Sequence, residues 1–220
     1  MSKKLFVHVK DESARMFKND TLNALSKVHY TVPLYLYIPP ILYFLYVTIF
    51  QTPVEQVSIL GRIGLWFAGV FTWSFFEYGV HRFIFHYNAS SEIGKRFHFL
   101  SHGVHHDYPQ DSTRLVMPPS VSLPLAVLFY FAFSVILGPY MMAPAYVGFL
   151  MGYLVYDMSH YAVHHFNWKT AYFQRIKKHH MDHHFRDPDY GFGFTSDIWD
   201  KVFNTNLPVK PKAGQEKSNA

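Results

Sequence analysis

The chain of 220 residues contains no cysteine. Disulfide bonds, thiolate metal ligands, iron–sulfur clusters and cysteine nucleophiles are therefore excluded. Charge is also scarce: Asp, Glu, Lys and Arg make up 16% of the residues, against roughly 25% in ordinary soluble domains. Half of the residues are hydrophobic and 19% are aromatic. This composition favours a single membrane-embedded domain.

The sequence also lacks the pattern of a nucleic-acid-binding protein. Its net charge is +5 and its pI is about 9.2, but the Lys and Arg residues flank apolar stretches and form no stripe interleaved with base-stacking aromatics. Anionic lipid headgroups are the better partner for such charges. We therefore expect a membrane partner and no nucleic acid.

Four apolar stretches approach the length of about 20 residues that a membrane-spanning helix needs. They cover residues 32–50, 57–80, 119–137 and 142–160. A short turn at residues 138–140 joins the last two as a tight hairpin. The sequence therefore predicts an all-α integral membrane protein with four transmembrane helices.

The Lys and Arg residues predict how these helices are oriented. Six precede the first span, four lie between the second and third, none lies in the hairpin and nine follow the fourth. The positive-inside rule then places both termini and the central loop in the cytoplasm. We expect residues 1–31 to form a cytoplasmic or interfacial segment, 32–208 the membrane domain and 209–220 a disordered polar tail. The expected location is a bacterial inner membrane or the endoplasmic reticulum.

Thirteen of the fifteen histidines fall in four short clusters, each at the end of a predicted span or in a segment beyond one. Under the predicted topology all four clusters reach the cytoplasmic face and can converge there. Imidazole is the commonest metal ligand in proteins, so such clusters indicate a polynuclear site. The predicted fold is thus a four-helix membrane domain whose cytoplasmic, His-rich helical cap holds a dinuclear metal centre.

The spacing of the histidines favours ligands on helices. Two H-x-x-H-H motifs occupy residues 102–106 and 180–184. At about 100° per residue, their first and last two imidazoles share a helix face, while the two adjacent histidines diverge enough to serve two metals. His160 and His164 are one turn apart and can point together. With His81 and His86, the candidate metal ligands are His81, His86, His102, His105, His106, His160, His164, His180, His183 and His184.

His81 and His86 are five residues apart, which is roughly 140° around an α-helix. They are therefore expected to bind different metal ions or to lie on either side of a helix end. The remaining histidines are assigned to packing or to the surroundings of the site: His8, His29, His98, His165 and His179.

Three further residues are catalytic candidates beside the ligands. Glu77 lies about one turn before His81, and Asp157 lies three residues before His160. A carboxylate within a span is costly unless it is paired, so each is expected to accept the free N–H of a ligand imidazole and fix its tautomer. A plain salt bridge is the alternative. Tyr108 follows the first H-x-x-H-H motif closely and is the third candidate.

The order of these motifs resembles the fatty acid 2-hydroxylase family, within the fatty acid hydroxylase and sterol desaturase superfamily. The resemblance runs from about Glu77 to Thr205 and includes R-L-V-M-P-P at residues 114–119 and G-F-G-F-T-S at residues 191–196. It implies that the histidine motifs bind two metal ions on the cytosolic face of a four-helix membrane domain. It also implies insertion of one oxygen atom at carbon 2 of a fatty acyl chain, free or within a sphingolipid such as ceramide.

The expected chemistry constrains the cofactor. Attack on an unactivated C–H bond needs a strong oxidant made from O2, and hence a redox metal. Imidazole suits iron, zinc and copper, but zinc has no redox chemistry. The expected enzyme is therefore a non-haem di-iron monooxygenase with O2 as co-substrate, even if zinc occupies the site in the isolated protein.

The reaction also needs two external electrons. Some family members carry an N-terminal cytochrome b5 domain, and the segment before Val32 is too short to hold one. We therefore expect a separate electron donor, either a b5-type cytochrome or a ferredoxin with its reductase. Basic residues beside the histidine clusters are expected to dock this donor or to contact anionic headgroups: Lys95, Arg96, Arg175, Lys177 and Lys178.

Other functions remain open at the level of sequence. A desaturase or a sterol or carotenoid oxidase of the same superfamily shares the hydrogen-abstraction step with a hydroxylase. Metal-assisted hydrolysis or ether cleavage is a further enzymatic alternative. The alternative from another class is a membrane metal-binding or transport protein. Transporters, however, place their ligands near the bilayer midplane on broken helices and often show inverted repeats, whereas these histidines gather at span ends.

Overall fold

The computed structural model describes residues 7–208, and every regular element within that range is helical. The α-helices are α1 (Asp20–Leu25), α2 (Val32–Tyr46), α3 (Ile59–Val80), α4 (Glu92–His98), α5 (Val104–Asp107), α6 (Pro119–His165), α7 (Ala171–Phe185) and α8 (Ile198–Val202). Three π-helical segments continue α2, α3 and α4: Val47–Gln51, His81–Phe85 and Phe99–Gly103. The predicted tail at residues 209–220 lies outside the described residues.

Three helical segments are long and apolar enough to cross a membrane. They cover Val32–Gln51, Ile59–Phe85 and Pro119–His165. Large apolar side chains such as Leu42, Phe67 and Val135 point outward from them. A surface of this kind suits a lipid environment, because lipid tails impose no cost on exposed apolar groups. The helical class predicted from the sequence is confirmed.

Helix α6 folds back on itself. A straight helix would place Ala126 and Tyr146 about 30 Å apart, yet the Tyr146 hydroxyl donates a hydrogen bond to the Ala126 carbonyl at 2.8 Å. Phe129 likewise stacks on Phe149, with ring centroids 4.2 Å apart. The reversal occurs at Gly138, whose φ of 73° lies in the region that glycine adopts readily. It coincides with the predicted turn, whereas the number of membrane crossings remains a prediction.

Close packing between α3 and the second half of α6 brings their ends together. A Cβ atom on Gly69 or on Gly148 would lie 1.9 or 2.0 Å from a backbone carbonyl oxygen of the opposite helix. Glycine is therefore required at both positions, as is common where membrane helices approach closely. The contact between the two helices continues towards their C-terminal ends, where the rings of Trp73 and Tyr156 lie 5.6 Å apart, and α3 then leads to His81 as α6 leads to His160.

The segment before α2 is hydrogen-bonded to the end of α5 and to the loop that follows it. His8 donates its backbone N–H to the Asp107 carbonyl at 2.8 Å, and Val28 donates to the Thr113 carbonyl at 2.7 Å. The Ser13 hydroxyl donates to the Asp111 carboxylate at 2.8 Å. This loop leads to residues 115–117, which lie next to the histidine clusters.

Candidate metal centre

All ten candidate imidazoles come together in two groups of five. Within each group, one ring nitrogen from every residue lies within 4.8 Å of the others. Group one consists of His81, His86, His102, His106 and His183. Group two consists of His105, His160, His164, His180 and His184. His86 and His106 are half-buried and the other eight are buried.

The two H-x-x-H-H motifs each supply both groups. Adjacent residues on a helix diverge by about 100°, so His105 and His106 enter different groups, as do His183 and His184. The rings of His106 and His184 stack with centroids 4.1 Å apart, so the groups are immediate neighbours. The geometry predicted for these motifs is therefore present.

The expectation that His81 and His86 address different metals is wrong, because both belong to group one. The residues between them form a π-helical turn, in which the His86 N–H bonds to the His81 carbonyl five residues earlier at 3.1 Å. Such a turn is wider than an α-helical one and aligns residues five apart, and π-turns often occur at functional sites. The alternative that the pair straddles a helix end is correct, since the helical segment ends at Phe85.

The ring nitrogens suit metal ions. In group one, His102 Nε2 lies 3.1 Å from Nε2 of both His81 and His106. In group two, His180 Nε2 lies 2.9 Å from His164 Nε2 and 3.0 Å from His184 Nε2. Two nitrogens bound at about 2.1 Å and at right angles would be separated by about 3.0 Å. The residues present therefore fit two ions, one in each group.

Backbone carbonyls fix the tautomer of three of the rings. Nδ1 lies 2.6 Å from the Phe192 carbonyl in His81, 2.7 Å from the Tyr190 carbonyl in His183 and 3.1 Å from the Leu115 carbonyl in His160. A carbonyl oxygen only accepts, so Nδ1 carries the proton and donates it. The lone pair of Nε2 is consequently free to bind a metal.

This arrangement corrects the roles expected of Glu77 and Asp157. Neither carboxylate takes the Nδ1 proton of His81 or His160, because carbonyls occupy those positions. Glu77 instead accepts from the backbone N–H groups of residues 194 and 195 at 2.8 and 2.9 Å and from the Thr195 hydroxyl at 2.8 Å. Asp157 accepts from the Met117 N–H at 3.1 Å and from the Tyr153 hydroxyl at 3.1 Å.

Each carboxylate therefore holds a backbone segment that supplies a carbonyl to a ligand. Glu77 binds the backbone of residues 194 and 195, which follow Phe192 closely. Asp157 binds the backbone of Met117, which is the second residue after Leu115. A third carboxylate of this kind, Asp200, is absent from the predicted site residues. Residues 199–200, a Trp-Asp pair, lie within the stretch from Glu77 to Thr205 that resembles the family, and this position was the signal that could have found Asp200.

Tyr108 and the remaining histidines lie outside the two groups. The Tyr108 ring stacks on His8 with centroids 5.4 Å apart. His29 shares a 2.8 Å hydrogen bond with the Thr31 hydroxyl. The other three follow or precede a ligand in sequence but are in neither group: His98, His165 and His179.

Burial and mutual repulsion keep the imidazoles neutral. Burial, followed by the charges of neighbouring histidines, lowers the pKa of His102, His105, His183 and His184 well below the usual value. The same causes lower the pKa of His106 to about 3. Neutral imidazole is the form that binds metal, so these rings release no proton when a metal binds near neutral pH.

The family model described as fatty acid hydroxylase matches residues 66–205, a range that contains all ten imidazoles. The chain belongs to the fatty acid hydroxylase family. It is 38% identical to dihydroceramide fatty acyl 2-hydroxylase FAH2 of Arabidopsis thaliana, over 92% of this chain and 84% of that protein. It is 36% identical to fatty acid 2-hydroxylase of Homo sapiens, over 90% of this chain and 58% of that protein.

A solved structure shares the fold. The full-length scs7p structure, in which only the hydroxylase domain is visible, matches with a TM-score of 0.81 and 36% identity. The match covers 91% of this chain and 75% of that chain. Ceramide very long chain fatty acid hydroxylase scs7 of Schizosaccharomyces pombe is 36% identical over 94% of this chain. This chain spans only 59% of that protein and 58% of the human relative.

Removing one ligand from either group should lower the metal content. We predict that His183→Ala, in group one, and His105→Ala, in group two, each reduce the bound metal from two ions per chain towards one and abolish activity. The matched control is His29→Ala, which removes an imidazole outside both groups. Elemental analysis of the purified variants checks the prediction, and an unchanged stoichiometry in both ligand variants would contradict it.

Proposed function

We propose that this protein hydroxylates carbon 2 of a fatty acyl chain, carried by ceramide or a related sphingolipid or present as a free fatty acid. The observation that carries the proposal is the pair of adjacent five-imidazole groups within a chain of the fatty acid hydroxylase family. Two of the relatives named above are a dihydroceramide fatty acyl 2-hydroxylase and a fatty acid 2-hydroxylase. The reaction consumes O2, two electrons and two protons, and it yields the hydroxylated chain and water.

The proposed metal ions are two irons. His81, His86, His102, His106 and His183 would hold one, and His105, His160, His164, His180 and His184 the other. When bound, the irons would supply the reduction of O2 and the insertion of one oxygen atom into a C–H bond. Zinc fits the same nitrogen ligands but has no redox chemistry, so it would give an inactive protein.

Aromatic side chains of the chain pack against imidazoles of both groups. Phe194 lies edge-on to His160 and His180, with centroids 5.3 and 5.0 Å apart. Phe85 stacks on His102 at 4.8 Å, and Phe192 lies 5.4 Å from His86. Aromatic walls exclude water, which limits the loss of a reactive oxidant to side reactions.

We further propose that the chain crosses the membrane four times, with the metal centre on the cytoplasmic side. Two observations support this topology. The reversal at Gly138 divides α6 into two apolar segments that pack against each other. The ends of α3 and α6 contribute to adjacent histidine groups, so they must lie on one side of the membrane. The excess of Lys and Arg in the segments on that side favours the cytoplasm.

The electron donor is proposed to be a separate acidic protein of the b5 or ferredoxin type. Two of the basic residues expected to receive it already pair with carboxylates: Lys95 with Glu92 at 2.7 Å and Lys178 with Asp182 at 2.5 Å. Lys177 donates to a backbone carbonyl at 2.7 Å. Exposed ion pairs of this kind contribute little stability and exchange readily, so a donor can compete for these side chains.

Lipid mass spectrometry tests the function. Expression of the chain in cells that lack 2-hydroxylated lipids should add one oxygen atom to acyl chains, and fragmentation should place it at carbon 2. The His180→Ala variant should abolish the product, because His180 belongs to group two, whereas His29→Ala should retain it. Loss of two hydrogens from the acyl chain would instead establish a desaturase, and oxygen at another carbon would refute the assigned position.

Site-specific labelling tests the topology. A tag inserted after Pro139, next to the reversal, should be reached only by reagents on the non-cytoplasmic side. A tag after Ser90, in the exposed loop before α4, serves as the control and should be reached only from the cytoplasm. Cytoplasmic labelling after Pro139 would overturn the four-span topology.

A further inference from the structure

Two carbonyls in one short segment orient two ligands of group one. Residues 190–196 form no regular helix, yet the Tyr190 and Phe192 carbonyls accept the Nδ1 protons of His183 and His81. A non-helical segment has no internal hydrogen-bond ladder to fix its backbone. The orientation of both imidazoles therefore depends on whatever holds this segment in place.

Asp200 holds it directly. The residue is fully buried, and its carboxylate accepts from the Phe192 N–H at 2.9 Å and the Gly193 N–H at 2.8 Å. The same carboxylate accepts from the Thr205 hydroxyl at 2.7 Å and lies 3.2 Å from His179 Nε2. Both oxygens thus have two donors each, and two of the four donors are backbone groups of the segment.

The local sequence fits this carboxylate. A Cβ atom on Gly193 would lie 2.3 Å from the Ser196 carbonyl oxygen and 2.9 Å from the carboxylate of Asp200. Gly191 has a φ of 73°, which favours glycine, and it donates its N–H to the Thr205 carbonyl at 2.8 Å. The backbone can therefore reach the carboxylate only because both residues lack a side chain.

The carboxylate is ionised. Burial alone raises the pKa of Asp200, but the hydrogen bonds from His179, Thr205 and Gly193 hold the pKa below its usual value. An ionised carboxylate accepts at both oxygens, whereas a carboxamide of the same size accepts at one and donates at the other. Replacement by asparagine would therefore set an N–H donor against a backbone N–H of the segment.

We propose that Asp200 is a positioning residue for the metal bound by group one. It acts through the backbone of residues 190–193 on His81 and His183, and it contacts no ligand itself. In group two, the Leu115 carbonyl that orients His160 lies in a different segment, which is held by Asp157. This inference rests on the proposed binding of two ions.

The test is metal affinity, measured with zinc as the probe and a graded series of chelator concentrations. We expect Asp200→Asn to weaken one of the two ions by about 10- to 100-fold, which is typical of residues that orient ligands, and to leave the other unchanged. The control is Asp197→Asn, three residues earlier, because Asp197 is partly exposed and pairs with Lys201 at 2.9 Å. It should change neither affinity.

Double variants assign the affected ion. His86→Ala weakens group one and His164→Ala weakens group two, so each leaves one intact group. Addition of Asp200→Asn should weaken the remaining ion in the His164→Ala background and not in the His86→Ala background. Gly193→Ala should reproduce the effect of Asp200→Asn, because it displaces the segment from the carboxylate without a change of charge.

The outcomes separate the two proposals. A wild-type protein that binds no zinc at ten imidazoles refutes the proposed metal centre. A wild-type protein with two ions and an Asp200→Asn variant with unchanged affinities refutes only the role of Asp200, as does an equal loss of both ions.

Thermal denaturation in detergent establishes that each variant is folded. If Asp200→Asn is not, Thr205→Val replaces it, and the loss of one donor should weaken the same ion by a smaller factor.

Discussion

Ten buried or half-buried imidazoles whose ring nitrogens converge in two groups are the constraint on which the structure depends. Lone pairs on two ring nitrogens repel one another at 2.9–3.1 Å unless a proton or a cation lies between them. The protein must therefore impose the arrangement. It does so with backbone carbonyls, which fix the Nδ1 protons of His81, His160 and His183, and with buried carboxylates, which hold the segments that carry those carbonyls. Ligands held in this way lose little conformational freedom when a metal binds.

The membrane helices determine where these ligands meet. The glycine contacts between α3 and α6 allow close approach and place His81 near His160. The reversal at Gly138 returns the chain to the side on which α3 ends. Helix α7 then contacts imidazoles near the ends of both helices, through His183 beside His81 and His180 beside His160. Its adjacent His183 and His184 contribute to different groups. Because α6 and α7 supply four of the five imidazoles of group two, the packing of these two helices largely determines that group.

The sequence predicts the features that follow from regular helical geometry. The divergence of His105 from His106 and the convergence of His160 with His164 both follow from the rotation per residue of an α-helix. The same geometry gives the wrong result for His81 and His86, because the intervening turn is π-helical and no residue type marks such a turn. The acceptors of the Nδ1 protons are unpredictable for another reason. They are backbone carbonyls, which every residue has, so the sequence does not mark them. The positions of Glu77 and Asp157 indicate that each carboxylate has a hydrogen-bonding partner, but not that the partners include backbone N–H groups.

We expect the ten imidazoles to form two metal sites, with His105 in one site and His106 in the other. Anomalous diffraction from crystals of the iron-loaded protein, recorded at the iron absorption edge, tests it most directly. Two peaks are expected, one within each group of five imidazoles. A single peak shared by both groups, or an iron peak outside the ten imidazoles, would rule out two separate metal sites.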